Sequence, residues 1–116
     1  MEYRAALRVR LVERHLRPGV RDNPEVERYE ALVDGELAGF IVYRSRPGLI
    51  AFMHTEVDDA FEGQGIGSAL VGGALDDVRR RGFEVLPFCP FVNAYIKKHQ
   101  EYADLVPESQ RMAFGL

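Results

Sequence analysis

Cysteine is nearly absent: Cys89 stands alone among 116 residues, so no intramolecular disulfide can form. Long apolar runs are missing too. The longest, around Phe40–Tyr43 and Leu49–Met53, fall far short of the ~20 residues that span a bilayer. A dominant basic charge is also missing. Fifteen Lys and Arg face eighteen Asp and Glu, a net charge of −3, which argues against a general nucleic-acid role. Nothing resembles a multi-ligand metal cluster, so no metal site is expected. Residues 1–21 carry Arg4, Arg8, Arg10, Arg14 and Arg17 among their apolar positions, so no signal-peptide apolar region is read there. The expectation is a cytoplasmic chain without membrane or nucleic-acid partners. What is present is ordinary for a folded chain: 47% hydrophobic, 28% charged and 10% aromatic residues, enough for one core and one domain.

Residues 1–21 read as a first strand or a loosely held arm, with an Arg-rich phosphate-binding arm or a transit segment as the alternatives. Asp22-Asn23-Pro24 marks a turn. Glu27–Val33 alternates as a strand with Tyr29, Ala31 and Val33 on one face. Asp34-Gly35 is a two-residue hairpin signal, since both central positions of a type I′ turn require φ > 0. Glu36–Arg44 is apolar on both faces and should be central. Arg46-Pro47-Gly48 turns the chain into a third strand, Leu49–Val57. The period then changes: Ile66, Ala69, Leu70, Ala74 and Val78 have the spacing of an amphipathic helix. Asp76 and Asp77 fall on its outer side, and Gly82 stops it. Phe83–Phe88 is a short buried strand ended by Pro87 and Pro90. Phe91–His99 reads as a helix and 109–116 as a tail. The order predicts an α+β fold: an antiparallel meander, then one β-α-β crossover and a short helix.

Glu62-Gly63-Gln64-Gly65-Ile66-Gly67-Ser68 joins the third strand to the helix. A helix N-terminus offers unpaired N–H groups and a positive dipole end, and glycines let a ligand approach the backbone. Together they make a diphosphate cradle. Neither the P-loop spacing nor the dinucleotide fingerprint is met, because no Lys follows the last glycine and Ser68 or Leu70 stands where a third glycine would be. A plain turn with packing glycines is the alternative.

Val57, then Asp58-Asp59-Ala60-Phe61, then Glu62-Gly63-Gln64-Gly65-Ile66-Gly67 resembles the signature of the GNAT acyltransferase superfamily. Downstream, His54-Thr55-Glu56-Val57, Asp76-Asp77, Leu86-Pro87-Phe88-Cys89-Pro90-Phe91-Val92, Tyr95-Ile96 and His99-Gln100-Glu101-Tyr102 resemble its small single-domain GNAT-like N-acetyltransferases. The resemblance spans about 23–106, within a domain read as 22–108. It implies a minimal GNAT-like fold that binds acetyl-coenzyme A and moves acetyl to an amine. Diphosphate would lie on the amides of Gly63, Gln64, Gly65, Ile66, Gly67 and Ser68. The pantetheine arm would run beside Glu56 and Val57, where the sheet splays. Glu62 departs from the Arg or Gln usual in the superfamily. There is also no room for the usual helix pair between the first two strands.

Acetyl transfer needs a base for the amine, donors for the carbonyl oxygen and an acid for the departing thiolate. Cys89 suits a covalent route if a helix N-terminus lowers its pKa, or it is a buried, inert thiol. His54 and Glu56 share a strand face, with Glu56 the base acting through water, or both are ordinary solvated positions. The resemblance implies that Tyr95 protonates the thiolate; helix packing is the alternative. A non-catalytic acyl-coenzyme A binder or sensor, and a protein-interaction module, are the rival functions.

Overall fold

The computed structural model describes residues 18–116; the expectations for residues 1–17 lie outside the described residues. Five strands form one sheet in the order β1-β2-β3-β4-β5: Gly19–Asn23, Arg28–Val33, Glu36–Arg46, Leu49–Val57 and Glu84–Pro87. The first four are antiparallel, and β5 runs parallel to β4. This is the mixed α+β fold that the patterning predicts.

The local signals act as expected. Asp34 and Gly35 both take positive φ (50° and 81°), which matches a type I′ turn between β2 and β3. Helix α1 spans Ile66–Arg80. It ends in a Schellman arrangement: Gly82 N–H donates to the Arg79 carbonyl and Phe83 N–H to that of Val78, with Gly82 at φ 73°. Helix α2 is Pro90–Lys98, and α3 is the short turn Glu108–Arg111. Only a 3-10 turn, Pro24–Val26, separates β1 from β2, so no helix pair stands there.

One face of the sheet carries Tyr29, Ala31, Val33, Ile41, Tyr43, Ile50, Phe52 and Val85. Ile66, Leu70, Val71, Ala74, Leu75 and Val78 of α1, and Val92 and Ile96 of α2, close that core. Burying each Val, Leu, Ile or Phe side chain among these contributes about 1.5–3 kcal/mol. The segment read as a tail folds back instead of trailing away. Phe114 meets Phe88 edge-on, its carbonyl accepts from the Asn93 side chain, and Leu116 packs on the core.

The acidic pair on the outer side of α1 is hydrogen-bonded, Asp76 at an exposed and Asp77 at a half-buried position. Asp76 accepts from the Tyr102 hydroxyl at 2.6 Å. Asp77 accepts from the Tyr29 hydroxyl at 2.7 Å and from Arg80 and Arg81. Arg81 also reaches Asp22, which accepts from the Tyr43 hydroxyl. The end of α1 is thus tied to β1, β2 and β3 by one hydrogen-bonded network. Among the described residues, no helix is long and apolar enough to cross a membrane.

Candidate active site

The ladder between β4 and β5 is short. It runs from Leu49↔Glu84 to Phe52↔Pro87, and one further bond joins Cys89 N–H to the Phe52 carbonyl at 2.8 Å. Pro87 and Pro90 have no N–H to extend it, and Pro90 starts α2. Beyond Phe52, strand β4 stays paired with β3 as far as Val57, while among the described residues its other edge, 53–57, has no strand partner. This is the splay expected beside Glu56 and Val57.

Register decides which way the side chains on that stretch face. Val42 pairs with His54 but Tyr43 pairs with Phe52, so Met53 is a bulge residue. Phe52 and Thr55 therefore both lie on the helix-covered face, while His54 and Glu56 point to the other. There they stand in register with Val42 and Phe40 and, beyond those, with Arg28 and Glu30. His54 Nε2 lies 3.1 Å from Glu56 Oε2, and both side chains are more than half exposed. Glu56 and Val57, with Leu37, Gly39, Phe40 and Asp58, line a pocket of about 150 Å³. Gly39 makes this corner possible. A Cβ there would lie 2.8 Å from the Glu56 carbonyl oxygen, so only glycine lets β3 close against the end of β4.

Cys89 is buried at the base of the splay, its Sγ 3.2 Å from the Thr55 hydroxyl. It is the N-cap of α2, as the sequence suggests, yet its side chain makes no capping bond to the helix amides. The sulfur's hydrogen-bonding partner is therefore Thr55. Tyr95 joins neither pair. Its ring stacks on His99 at 4.1 Å, and its hydroxyl sits against Gly72 of α1. Burial raises its pKa, with Asp76 and Glu101 adding to the shift, so the phenol keeps its proton.

The glycine loop precedes α1. Asp58 is committed to structure: its carboxylate accepts from Ala60 N–H and its N–H donates to the Ala38 carbonyl. Gly63 and Gly65 are both left-handed at φ 76°, where other residues are strained. Gly65 is the N-cap without a side-chain cap, no acid stands in the first turn, and the first helical bond is Ala69 N–H to the Gly65 carbonyl. The amides of Ile66, Gly67 and Ser68 thus precede the first helical donor. A Cβ built on Gly63 or Gly65 would meet nothing within 4 Å, so the approach to this cradle is open. These features fit a diphosphate. Gly67 differs: a Cβ there would strike the Phe91 ring, so its missing side chain serves helix packing. The Ile66 side chain is core, leaving only its backbone for a ligand.

Thr55, Gly39 and Phe91 escape a sequence reading of the site. A glycine inside a strand is a recognisable sign of close backbone approach. Thr55 and Phe91 carry no such sign, because their partners are distant in sequence.

No curated protein matches the sequence. The NMR solution structure of a GCN5-like protein from Staphylococcus aureus superposes with a TM-score of 0.58 at 21% identity, covering 77% of this chain and 87% of that one. That likeness shows the fold. The sequence model of the family described as GCN5-related N-acetyl-transferase matches residues 28–105, more than half of the chain and every element from β2 to the end of α2. The chain therefore belongs to the GCN5-related N-acetyltransferase family.

Proposed function

We propose that this protein binds acetyl-coenzyme A and transfers the acetyl group to an amine. Family membership supplies the reaction class. The observation that carries the reading is the open edge of β4 between an uncapped helix N-terminus and the Cys89–Thr55 pair. Bound there, coenzyme A would supply the acetyl thioester. The first amides of α1 would hold the diphosphate without any charged side chain. The free edge of Met53–Val57 would take the pantetheine amides as a further strand.

The two sheet faces divide the work. The cofactor's diphosphate end belongs to the face covered by α1. The opposite face, where Glu56 and His54 stand, is left for the amine. Glu56 takes the amine's proton, directly or through water, and His54 at 3.1 Å holds its carboxylate. The family resemblance makes Tyr95 the donor to the departing sulfur, and burial keeps its phenol protonated for that role. Attack is direct. The Cys89 thiol is buried, is partnered by the neutral Thr55 hydroxyl and makes no side-chain bond to the α2 amides, so among the described residues none is positioned to take its proton.

Intact-mass spectrometry after incubation with acetyl-coenzyme A and a mixed panel of amines tests this, alongside a thermal shift with coenzyme A. Ligand at 100 times its dissociation constant adds about 2.7 kcal/mol. Acetylated amine with unmodified enzyme supports the direct route. Binding without product leaves an acyl-coenzyme A sensor; no thermal shift removes the cofactor reading.

A further inference from the structure

We propose that Phe91 is a positioning residue for the pantetheine arm: its ring, seated on Gly67, sets the distance between the N-termini of α1 and α2. This rests on the cofactor reading above and adds a function for two residues outside the chemistry. Glycine is a poor choice inside a helix, yet α1 contains Gly67, Gly72 and Gly73. Gly73 makes room for Val20 of β1, and the other two make room for α2. A Cβ on Gly67 would lie 2.8 and 2.9 Å from two Phe91 ring atoms, and a Cβ on Gly72 would lie 2.7 Å from the Tyr95 hydroxyl. Ordinary contact begins near 3.4 Å, so a methyl at Gly67 displaces the ring by about 0.6 Å. Phe91 and Tyr95 are one turn apart on α2 and face the same helix. Two aromatic knobs in two glycine notches prevent α2 from sliding along α1.

The notch at Gly67 lies in the first turn of α1, beside the amides that would hold the diphosphate. Phe91 lies two residues after Cys89, at the acyl end. The contact is thus a short mechanical link between the two ends of the site that the pantetheine arm has to span. Phe91 is also 42% exposed, more than core filling alone requires.

Titration calorimetry with two ligands separates positioning from phosphate binding. Coenzyme A spans both ends; 3′-phosphoadenosine 5′-diphosphate keeps the nucleotide and diphosphate and lacks the arm. Phe91→Ala is expected to weaken coenzyme A at least tenfold and to leave the fragment within twofold, with an unchanged circular-dichroism spectrum. Gly67→Ala should also weaken coenzyme A, and adding Phe91→Leu to it should restore part of the loss by making room for the methyl. Parallel loss of both ligands in Phe91→Ala, unchanged affinity for both, or no rescue by Phe91→Leu overturns the proposal. If the parent protein binds neither ligand, the cofactor reading itself fails, and this proposal with it.

Discussion

Glu30 gives the sharpest test of how the sheet face opposite α1 is built. It is 2% exposed, the sole buried charged residue among those described. Burial alone would raise its pKa, but hydrogen bonds from Arg28, Asn23 and Arg21 outweigh this and hold the carboxyl below its usual 4.5. The bonds measure 2.6, 3.2 and 3.0 Å. Arg28 also lies over the Phe40 ring at 4.8 Å, and Phe40 separates Glu30 from Glu56 in register. Arg28→Met keeps an apolar cover on Phe40 while removing the shortest bond to a buried charge. A hydrogen bond to a charged group is worth about 1.5–3 kcal/mol, so about 2 kcal/mol should be lost at pH 7. For a chain of this size that is roughly an 8 °C fall in melting temperature. The pH dependence identifies the cause. A carboxyl whose folded pKa is depressed contributes stability above its unfolded pKa and loses it as pH falls through the folded value. The gap between parent and variant should therefore be full at pH 7 and shrink below about pH 4.5. Urea denaturation at pH 7, 5 and 3.5 measures it. Adding Glu30→Gln should recover part of the loss by removing the stranded charge. A gap that is constant across pH, or a double variant no better than Arg28→Met, would refute the electrostatic account.

Other outcomes follow from the same geometry. Gly65→Val should abolish coenzyme A binding measured by calorimetry, because the left-handed N-cap and the open approach are both lost; undiminished affinity removes the cradle. Glu62→Gln should keep or modestly improve that affinity, since a negative charge beside the diphosphate is deleted; a clear loss would give Glu62 a positive role. In acetylation kinetics, Cys89→Ala should retain much of kcat, whereas Glu56→Gln and Tyr95→Phe should each lower it by about 10²-fold; the reverse order would restore the covalent route. Arg81→Met should cost about 1 kcal/mol by chemical denaturation, a value kept small because solvent screens this partly exposed side chain.

Local chemistry was legible from the residues. The type I′ turn at Asp34-Gly35, the third strand at Leu49–Val57, the glycine stop after α1 and the start of a helix just past Cys89 depend on backbone preferences and short-range periodicity. These are carried by neighbours in sequence, so a linear reading finds them. The glycine loop and its position before a helix were visible for the same reason. What glycine does at each position was not. Gly63 and Gly65 border open space, but Gly67 is packed under Phe91, and only the docking of α2 on α1 makes that difference. The pairing of Cys89 with Thr55 depends on a bulge at Met53 that shifts the face of every later residue in β4. Glu30 falls between the apolar positions Tyr29 and Ala31 of an alternating strand. It is buried because Arg21, Asn23 and Arg28 converge on it from two strands. Periodicity assigns a side chain to a face; what meets it there is fixed by register and helix docking, which bring together residues far apart in the chain.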